Sequence, residues 1–510
     1  MLRNLLSLKR WIGLLFITGI FVHHPSAHAQ NTQKFSKDID AFITEITQNI
    51  KELPGLSVVV VKGDKAVFMK GYGYADIANK YPVQVNTPYY IASSTKSFMG
   101  MAASILDHQG KVKLDATLEE SMPYIKFKPE VKANEIKLKQ LLNHTSGISN
   151  GYFGFRAAYS GNIDRNEMNK VLESKTKKAR EIGQYSYTNF GYNVYTHMTD
   201  KKLGKPWQDV LNELIFQPLN MKRTTAYMSL AQKNGWKYAK PYAAFGKNAP
   251  RELYLMKKDN TMQSAGGLIT TVEDMANWLV FNLNEGKFKG QQIVPAQVVK
   301  MAHSKLVEQG RIRKTYKRDG YGLGWETGSY NDKKIIQHDG GFAGFACHVI
   351  MMPEEKIGIT VLVNEGMLGI PIAHQISQFA FDWWLSGGKT GKNAKKMVGA
   401  MVKRLAKFNK RIEAGLAKRA KRTWQLTEPL KSYTGTYYNK DLGETQVKIT
   451  DGVLEVLHGN LRSKSTPFVK ENSIRLELVP NRGWVALFKI EAGKKASAII
   501  LDGDEFKRIK

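Results

Sequence analysis

Strand-forming runs stand at both ends of a long, mostly helical stretch, and this constrains the fold more than any other feature of the chain. Leu56 to Val61 is rich in β-branched residues, and Lys62-Gly63-Asp64-Lys65 turns the chain into a second run, Ala66 to Tyr74. That is a hairpin by turn chemistry and strand propensity. Lys34 to Leu53 before it reads as a helix, and helix-like segments and Gly-rich loops dominate from there to about residue 300. A second strand-rich zone starts at Tyr321-Gly322-Leu323-Gly324-Trp325. In it Lys334 to Gln337, Ala346 to Met352 and Ile357 to Val363 read as consecutive antiparallel strands, followed by an aromatic helix, Pro371 to Leu385. The expected fold class is therefore α+β, one antiparallel sheet completed by strands from both ends around a helical insert.

With 510 residues the chain is long enough for two domains with substantial cores. Residues 389–424 carry thirteen Lys or Arg and only Glu413 as an acid. Met397, Met401, Leu405, Phe408, Ile412 and Leu416 recur every three or four positions, the spacing of a basic amphipathic helix. Docking against a neighbouring domain is the favoured reading of this helix, and a membrane-surface helix is the alternative. Residues 425–510 alternate short strands with turns at Asp451-Gly452 and Ala492-Gly493, the pattern of a small β-meander or barrel. The candidate strands are Thr434 to Tyr438, Gln446 to Thr450, Val453 to Leu457, Ile474 to Leu478, Val485 to Ile490 and Ala498 to Leu501.

The N-terminus has the pattern of a secretory leader over residues 1–29. Lys9 and Arg10 precede an apolar run from Trp11 to Val22, and Ala27-His28-Ala29 supplies the small-residue cleavage pattern. Cleavage after Ala29 is the favoured reading and an uncleaved anchor the alternative, so the expected location is periplasmic or secreted. No later segment is apolar for long enough to span a bilayer, which leads us to expect a soluble mature protein. Cys347 is the only cysteine, which excludes intramolecular disulfides and a cysteine metal cluster. Its apolar run marks it as a buried thiol. The net charge of +31 is spread along the chain without a nucleic-acid-binding module; a solvated Lys-rich surface is the favoured reading, and attraction to anionic cell-envelope polymers is the alternative.

Ser93-Ser94-Thr95-Lys96 is the segment that carries chemistry. It follows Pro88-Tyr89-Tyr90-Ile91-Ala92 and opens a helix-like run, Ser97 to Leu106. Residues three apart on a helix are neighbours, so Ser93 can meet Lys96. A serine hydroxyl attacks only when something takes its proton, and a lysine can do so only when neutral. Two further segments supply partners: Tyr187-Thr188-Asn189, and the small-residue strand edge His338-Asp339-Gly340-Gly341, which a carbonyl can approach closely. Decoys exist for each. Ser174 to Lys177 and Ser386 to Lys389 also read S-x-x-K, Tyr437 to Asn439 reads Y-x-N, and His108 to Gly110 reads H-x-G with Gly110 as a helix C-cap. Only Ser93, Tyr187 and His338 combine suitable context with mutual order.

These segments together resemble the serine β-lactamase-related hydrolases: class C β-lactamases, penicillin-binding-protein-like D,D-peptidases, D-aminopeptidases and related esterases. The resemblance runs from Leu53 to Leu385. It includes Thr87 to Lys96, Leu141-Leu142-Asn143-His144-Thr145-Ser146-Gly147-Ile148, Tyr185 to Tyr192, Pro218 to Met221, Ser264 to Asp274 and His338 to Phe345. It implies a β-lactamase/D,D-peptidase-like domain over residues 30–388, with the small barrel of residues 425–510 resembling one appended to many such hydrolases. It further implies Ser93 as the acylated nucleophile, with Lys96 and Tyr187 as a coupled proton-transfer pair whose base is left open. Asn189 would bind Lys96 and a substrate amide, and the N–H groups of Ser93 and Gly341 would form the oxyanion hole beside His338 and Gly340. His144 and Thr145 read as loop-shaping residues and Asp274 as a capping or first-turn residue. No metal or cofactor is implied.

His338 stands where antibiotic-hydrolysing members carry a lysine, and an unperturbed histidine is charged only below about pH 6.5. The resemblance therefore favours esters, D-amino-acid peptides or cell-wall fragments ahead of β-lactams. The alternative is a non-catalytic peptidoglycan-binding protein on the same fold.

Overall fold

In the computed structural model, which describes residues 27–161, 164–246, 248–312, 316–389 and 394–510, the run Leu56–Val61 lies inside the large sheet because both its faces are covered. Leu56, Val58 and Val60 enter one core and Val59 and Val61 the other, as the twofold alternation of a strand requires. This strand, β1 (Gly55–Lys62), forms the expected hairpin with β2 (Lys65–Asp76), and Gly63 in the turn takes φ +67°. The expected leader lies outside the described residues except for Ala27, His28 and Ala29.

The strands from the other end of the domain are β3 (Val307–Ile312), β4 (Lys317–Tyr321), β5 (Glu326–Tyr330), β6 (Lys333–Phe342), β7 (Phe345–Met352) and β8 (Ile357–Val363). They run as an antiparallel meander, and β8 pairs with β1, Val363 opposite Leu56. The sheet order is β3-β4-β5-β6-β7-β8-β1-β2, with a short edge at Tyr81–Pro82. β3 and β4 lie upstream of the expected strand zone, because Glu308, Arg311, Lys317 and Asp319 break any apolar pattern there. β6 continues past Gln337 through the His338-Asp339-Gly340-Gly341 segment, whose residues pair with Ala346 to Val349 of β7. Its pairing with β5 ends at Glu326–Gln337, so on that side the last part of β6 is an open edge.

Helices cover both faces. α1 (Ala27–Asn49) packs on the sheet's outer face together with a long aromatic helix nearer the C-terminus. On the inner face lie α2 (Thr95–His108), α3 (Phe190–Leu203) and α4 (Val272–Leu283). Phe98 of α2 stacks on Trp278 of α4 at 4.1 Å between ring centroids, and Trp278 stacks on Trp325. The aromatic helix is α5 (Gly369–Leu385), joined to α1 by stacking of Phe42 on Phe379 and an edge contact of Phe35 with Trp383. The basic helix is α6 (Ala394–Ala420). Val398, Met401 and Leu405 are buried with α1 and α5, Phe408 and Ile412 pack by Phe245, and Leu416 is exposed. No described helix is long and apolar enough to cross a membrane.

The C-terminal region forms a second sheet of nine antiparallel strands, curled into a nearly closed barrel. Its strands are β9 (Gly435–Asn439), β10 (Gly443–Thr450), β11 (Val453–His458), β12 (Leu461–Lys464), β13 (Thr466–Pro467), β14 (Ser473–Val479), β15 (Arg482–Lys489), β16 (Ala498–Leu501) and β17 (Asp504–Arg508). The order is β12-β11-β10-β9-β17-β16-β15-β14-β13. The ends approach where the Glu477 N–H donates to Ser463 Oγ at 2.8 Å. β12, β13 and β17 are additions to the expected set. Leu461 to Lys464 buries alternate positions between the exposed Arg462 and Lys464, and in Asp504 to Arg508 Phe506 alone is buried.

Close backbone approach explains Gly100 in the middle of α2. A Cβ there would lie 1.9 Å from the Leu323 carbonyl oxygen, so helix and loop meet backbone to backbone. Gly399 in α6 has open space at the same test. Glycine normally costs a helix about 1 kcal/mol relative to alanine, so the two sites should respond with opposite sign. Gly399→Ala is expected to raise stability by a few tenths to about 1 kcal/mol, and Gly100→Ala to lower it by about 1–3 kcal/mol. Thermal unfolding of the two variants checks this, and equal shifts would contradict the packing described.

Candidate active site

Lys96 is fully buried in the first turn of α2, and its hydrogen-bond partners are an amide oxygen, a backbone carbonyl and a hydroxyl. Its Nζ lies 2.8 Å from Asn189 Oδ1, 2.7 Å from the Ala265 carbonyl oxygen and 3.1 Å from Ser93 Oγ. Burial holds its pKa well below the ordinary lysine value. A neutral amine donates two hydrogens, to Asn189 and Ala265, and keeps its lone pair for the Ser93 hydroxyl. That arrangement can accept the serine proton.

Local geometry aims Ser93 at the open edge of β6. Ser93 sits in a short 3₁₀ turn, Ala92–Ser94, entered through Ala92 at φ +46°, a left-handed conformation that bends the chain sharply before the serine. Ser94 Oγ donates to the His338 carbonyl at 3.2 Å. Gly340 lets this turn lie on the strand: a Cβ there would be 1.9 Å from the Ile91 carbonyl oxygen and 3.0 Å from the Ser94 nitrogen. Gly341 next to it is exposed, with open space where a side chain would be. A carbonyl group can therefore reach the strand at Gly341 beside Ser93.

Tyr187 closes another side. Its ring lies 5.0 Å from Lys96 Nζ and its hydroxyl bonds Ser93. Burial raises its pKa well above the ordinary tyrosine value, a shift the Ser93 bond offsets in part. The phenol is thus protonated at neutral pH. His144, at φ +67°, lies among the rings of Tyr185, Tyr187, Tyr192 and Tyr321, and its Nδ1 accepts the Thr188 N–H at 3.3 Å. It fixes the Tyr187 loop. Thr145 Oγ1 donates to Asn143 Oδ1 within that turn.

The His338 ring lies beside Tyr187, with ring centroids 6.3 Å apart, but both its nitrogens are engaged. Nδ1 donates to the Asp339 carbonyl at 2.6 Å and Nε2 accepts from the Tyr321 hydroxyl at 2.9 Å. Burial pushes its pKa down to about 3. The imidazole is therefore neutral over the ordinary pH range and supplies no cation to a substrate.

Strand alternation turns Asp339 to the opposite face of the sheet. There it accepts from Arg318 Nη2 at 2.7 Å, from His348 Nδ1 at 2.7 Å and from His374 Nε2 at 3.0 Å, and Arg318 also bonds Glu326. Asp339, His348 and His374 have the side-chain types of a metal site. The Arg318 guanidinium on the same carboxylate already supplies the counter-charge, so this cluster reads as a buried ion-pair network that anchors β6. The network holds the Asp339 carboxyl well below its usual range against the cost of burial.

Ser93, Lys96, Tyr187, Asn189, His338, Gly340 and Gly341 thus lie together around the Ser93 turn. The decoys do not join it: Ser174 Oγ bonds the Lys170 carbonyl, Ser386 Oγ accepts the Lys389 N–H, and His108 lies by Gln297. Thr271 is the N-cap of α4, while Asp274 in its first turn accepts the Lys222 and Arg223 N–H groups. Two site residues escaped the sequence reading. Ala265 acts through a backbone carbonyl, whose only trace is the small-residue run Ser264-Ala265-Gly266-Gly267. Tyr321, which orients His338, was seen only as the start of a strand zone.

The fold and the arrangement of this site are those of the β-lactamase-type serine hydrolase fold, and the comparisons agree. The family described as Beta-lactamase matches residues 39–367. The chain belongs to that family. It is 26% identical over 337 residues to Protein flp of Staphylococcus aureus (strain MW2), covering 65% of this chain and 64% of that protein. It is 24% identical over 322 residues to the unguisins hydrolase ungD' of Aspergillus campestris, covering 61% of this chain and 58% of that protein. The octameric penicillin-binding protein homologue from Pyrococcus abyssi shares the fold, with a TM-score of 0.57, 22% identity and 93% and 99% of the two chains covered. The chain thus spans somewhat less than two thirds of the curated relatives it matches.

Removing Arg318 would leave two carboxylates without their cation in the sheet. Arg318→Met is expected to cost about 3–5 kcal/mol, the usual penalty for breaking a buried ion pair. Because Asp339 titrates below its unfolded value, its contribution is present above the ordinary carboxylate range and fades as pH falls through the lowered pKa. Urea unfolding of the variant at neutral pH checks the anchor, and a loss under 1 kcal/mol would contradict it.

Proposed function

We propose that the protein is a serine hydrolase that forms an acyl-enzyme at Ser93 on ester or amide bonds. The observation that carries this reading is Lys96, a buried amine with neutral hydrogen-bond partners and Ser93 at 3.1 Å. In this mechanism Lys96 and Tyr187 act as one proton-transfer unit. The amine takes the Ser93 proton as Oγ attacks the carbonyl carbon, and the protonated phenol supplies a proton to the leaving group. Hydrogen-bond donors at Ser93 and Gly341 stabilise the oxyanion, each such donor being worth about 2.7–4 kcal/mol in the transition state. Asn189 holds Lys96 and offers its amide N–H to the acyl chain. Water then repeats the sequence on the ester and releases Ser93.

A neutral His338 supports substrates without a carboxylate next to the scissile bond, which puts esters and uncharged peptide bonds ahead of β-lactams. The hydrolase activity in the name of the unguisins hydrolase ungD' is consistent with the same chemistry. The leader pattern of residues 1–29 supports action outside the cytoplasm, where D-amino-acid peptides, cell-wall fragments and anionic envelope polymers would be met.

Ser93→Ala is expected to abolish covalent labelling by a fluorophosphonate probe and turnover of p-nitrophenyl esters, with thermal stability retained. Labelling at the wild-type level in this variant would sink the assignment. Among matched substrates, kcat/KM is expected to be at least tenfold higher for an acyl ester than for nitrocefin, measured in one buffer at pH 7. The reverse order would remove the argument from His338.

A further inference from the structure

None of the residues lining the cavity between the barrel and the catalytic domain belongs to the Ser93 site. It has a volume of about 330 Å³. Its walls come from the short helix Gly151–Phe155, through Tyr152 and Phe155, and from the barrel, through His458, Trp484, Leu501 and Phe506. The rings touch one another: Phe155 lies 5.5 Å from His458 and 5.7 Å from Trp484, and His458 meets Phe506 edge-on at 5.6 Å.

His458 is the unexplained group. It ends β11 with 3% of its surface exposed, and its Nδ1 lies 2.7 Å from Thr445 Oγ1. Its Nε2 is buried at the cavity without a hydrogen-bond partner among the described residues. Burial, and then Arg156, hold its pKa down at about 4, so the ring is neutral at ordinary pH and can serve one polar atom of a ligand. An unpaired nitrogen in an apolar wall is unfavourable unless something fills its valence. At the mouth the signs are different. Asp502 is exposed and Asp504 half-buried, with Oδ1 accepting the Tyr152 hydroxyl at 2.8 Å, whereas Asp441 nearby is already paired with Lys175 at 2.8 Å. Aromatic walls with acids at the rim attract a cation and repel a carboxylate.

We propose that this cavity binds a small aromatic amine, its ring among Phe155, Trp484 and Phe506, a polar ring substituent on His458 Nε2 and its ammonium at Asp502 and Asp504. The wall continues toward the Ser93 site: Phe155 contacts Tyr159, and Tyr159 stacks at 5.9 Å on Phe342, the residue after Gly341. The probes are 4-hydroxyphenethylamine, phenethylamine and 3-(4-hydroxyphenyl)propionate, titrated calorimetrically into the full chain. The hydroxylated amine is expected to bind one to one, at least tenfold tighter than its carboxylate counterpart. His458→Phe is expected to erase its advantage over phenethylamine, and Leu501→Trp, which fills the cavity, to abolish binding. Asp502→Asn with Asp504→Asn, substituted at the rim, is expected to bring amine and acid within threefold of each other. Absence of saturable binding by the wild type, equal affinity for amine and acid, or undiminished binding by a folded Leu501→Trp variant would each overturn the proposal.

Discussion

A lysine amine buried against an amide oxygen, a backbone carbonyl and a hydroxyl is the constraint around which the β-lactamase-like domain is arranged. Taking an ammonium out of water costs several kcal/mol unless the group gives up its proton, and burial does hold Lys96 well below its ordinary pKa. The surrounding backbone is specialised for that burial. Gly324, at φ +76°, sits against the Lys96 carbonyl, where a Cβ would come within 1.9 Å. Asn189 and Ala265 arrive from the start of α3 and from the short helix Gln263–Gly266 before α4 to take the two hydrogens a neutral amine retains. Three separated parts of the chain therefore converge on one nitrogen.

The second constraint is the contact of the Ser93 turn with β6. Gly340 removes the side chain that would block Ile91, and the strand's loss of its β5 partner beyond Gln337 leaves an edge for substrate. Asp339 between these residues turns to the opposite face and is fixed there by Arg318, His348 and His374. Alternation along one strand thus separates the two tasks, with His338 and Gly340 facing the site and Asp339 anchoring the sheet.

Much of this was legible in the sequence for physical reasons. The apolar run Leu56–Val61 and the strands at 346–352 and 357–363 could be read because burial on both faces makes them continuous apolar segments. The ordered segments at Ser93, Tyr187 and His338 could be read because their chemistry demands particular side chains. Other parts left no such trace. β3, β4, β12 and β17 carry charges at the positions that face solvent, so their composition looks like loop. The neutrality of His338 depends on its burial, which does not follow from its place in an H-x-G segment. Ala265 contributes a carbonyl that any residue could provide. Gly100 reads as a poor helix residue until Leu323 is seen against it.

The central claim, that Lys96 is held neutral to serve Ser93, is tested most directly by titrating this one amine. In protein carrying ¹⁵Nζ-labelled lysine, the Lys96 resonance is identified by its loss in Lys96→Met and followed with pH. The account predicts a midpoint well below the ordinary lysine value of 10.5, with the fluorophosphonate labelling rate rising through the same midpoint. A Lys96 that titrates at 10.5 or above, with labelling insensitive to its protonation, would contradict it.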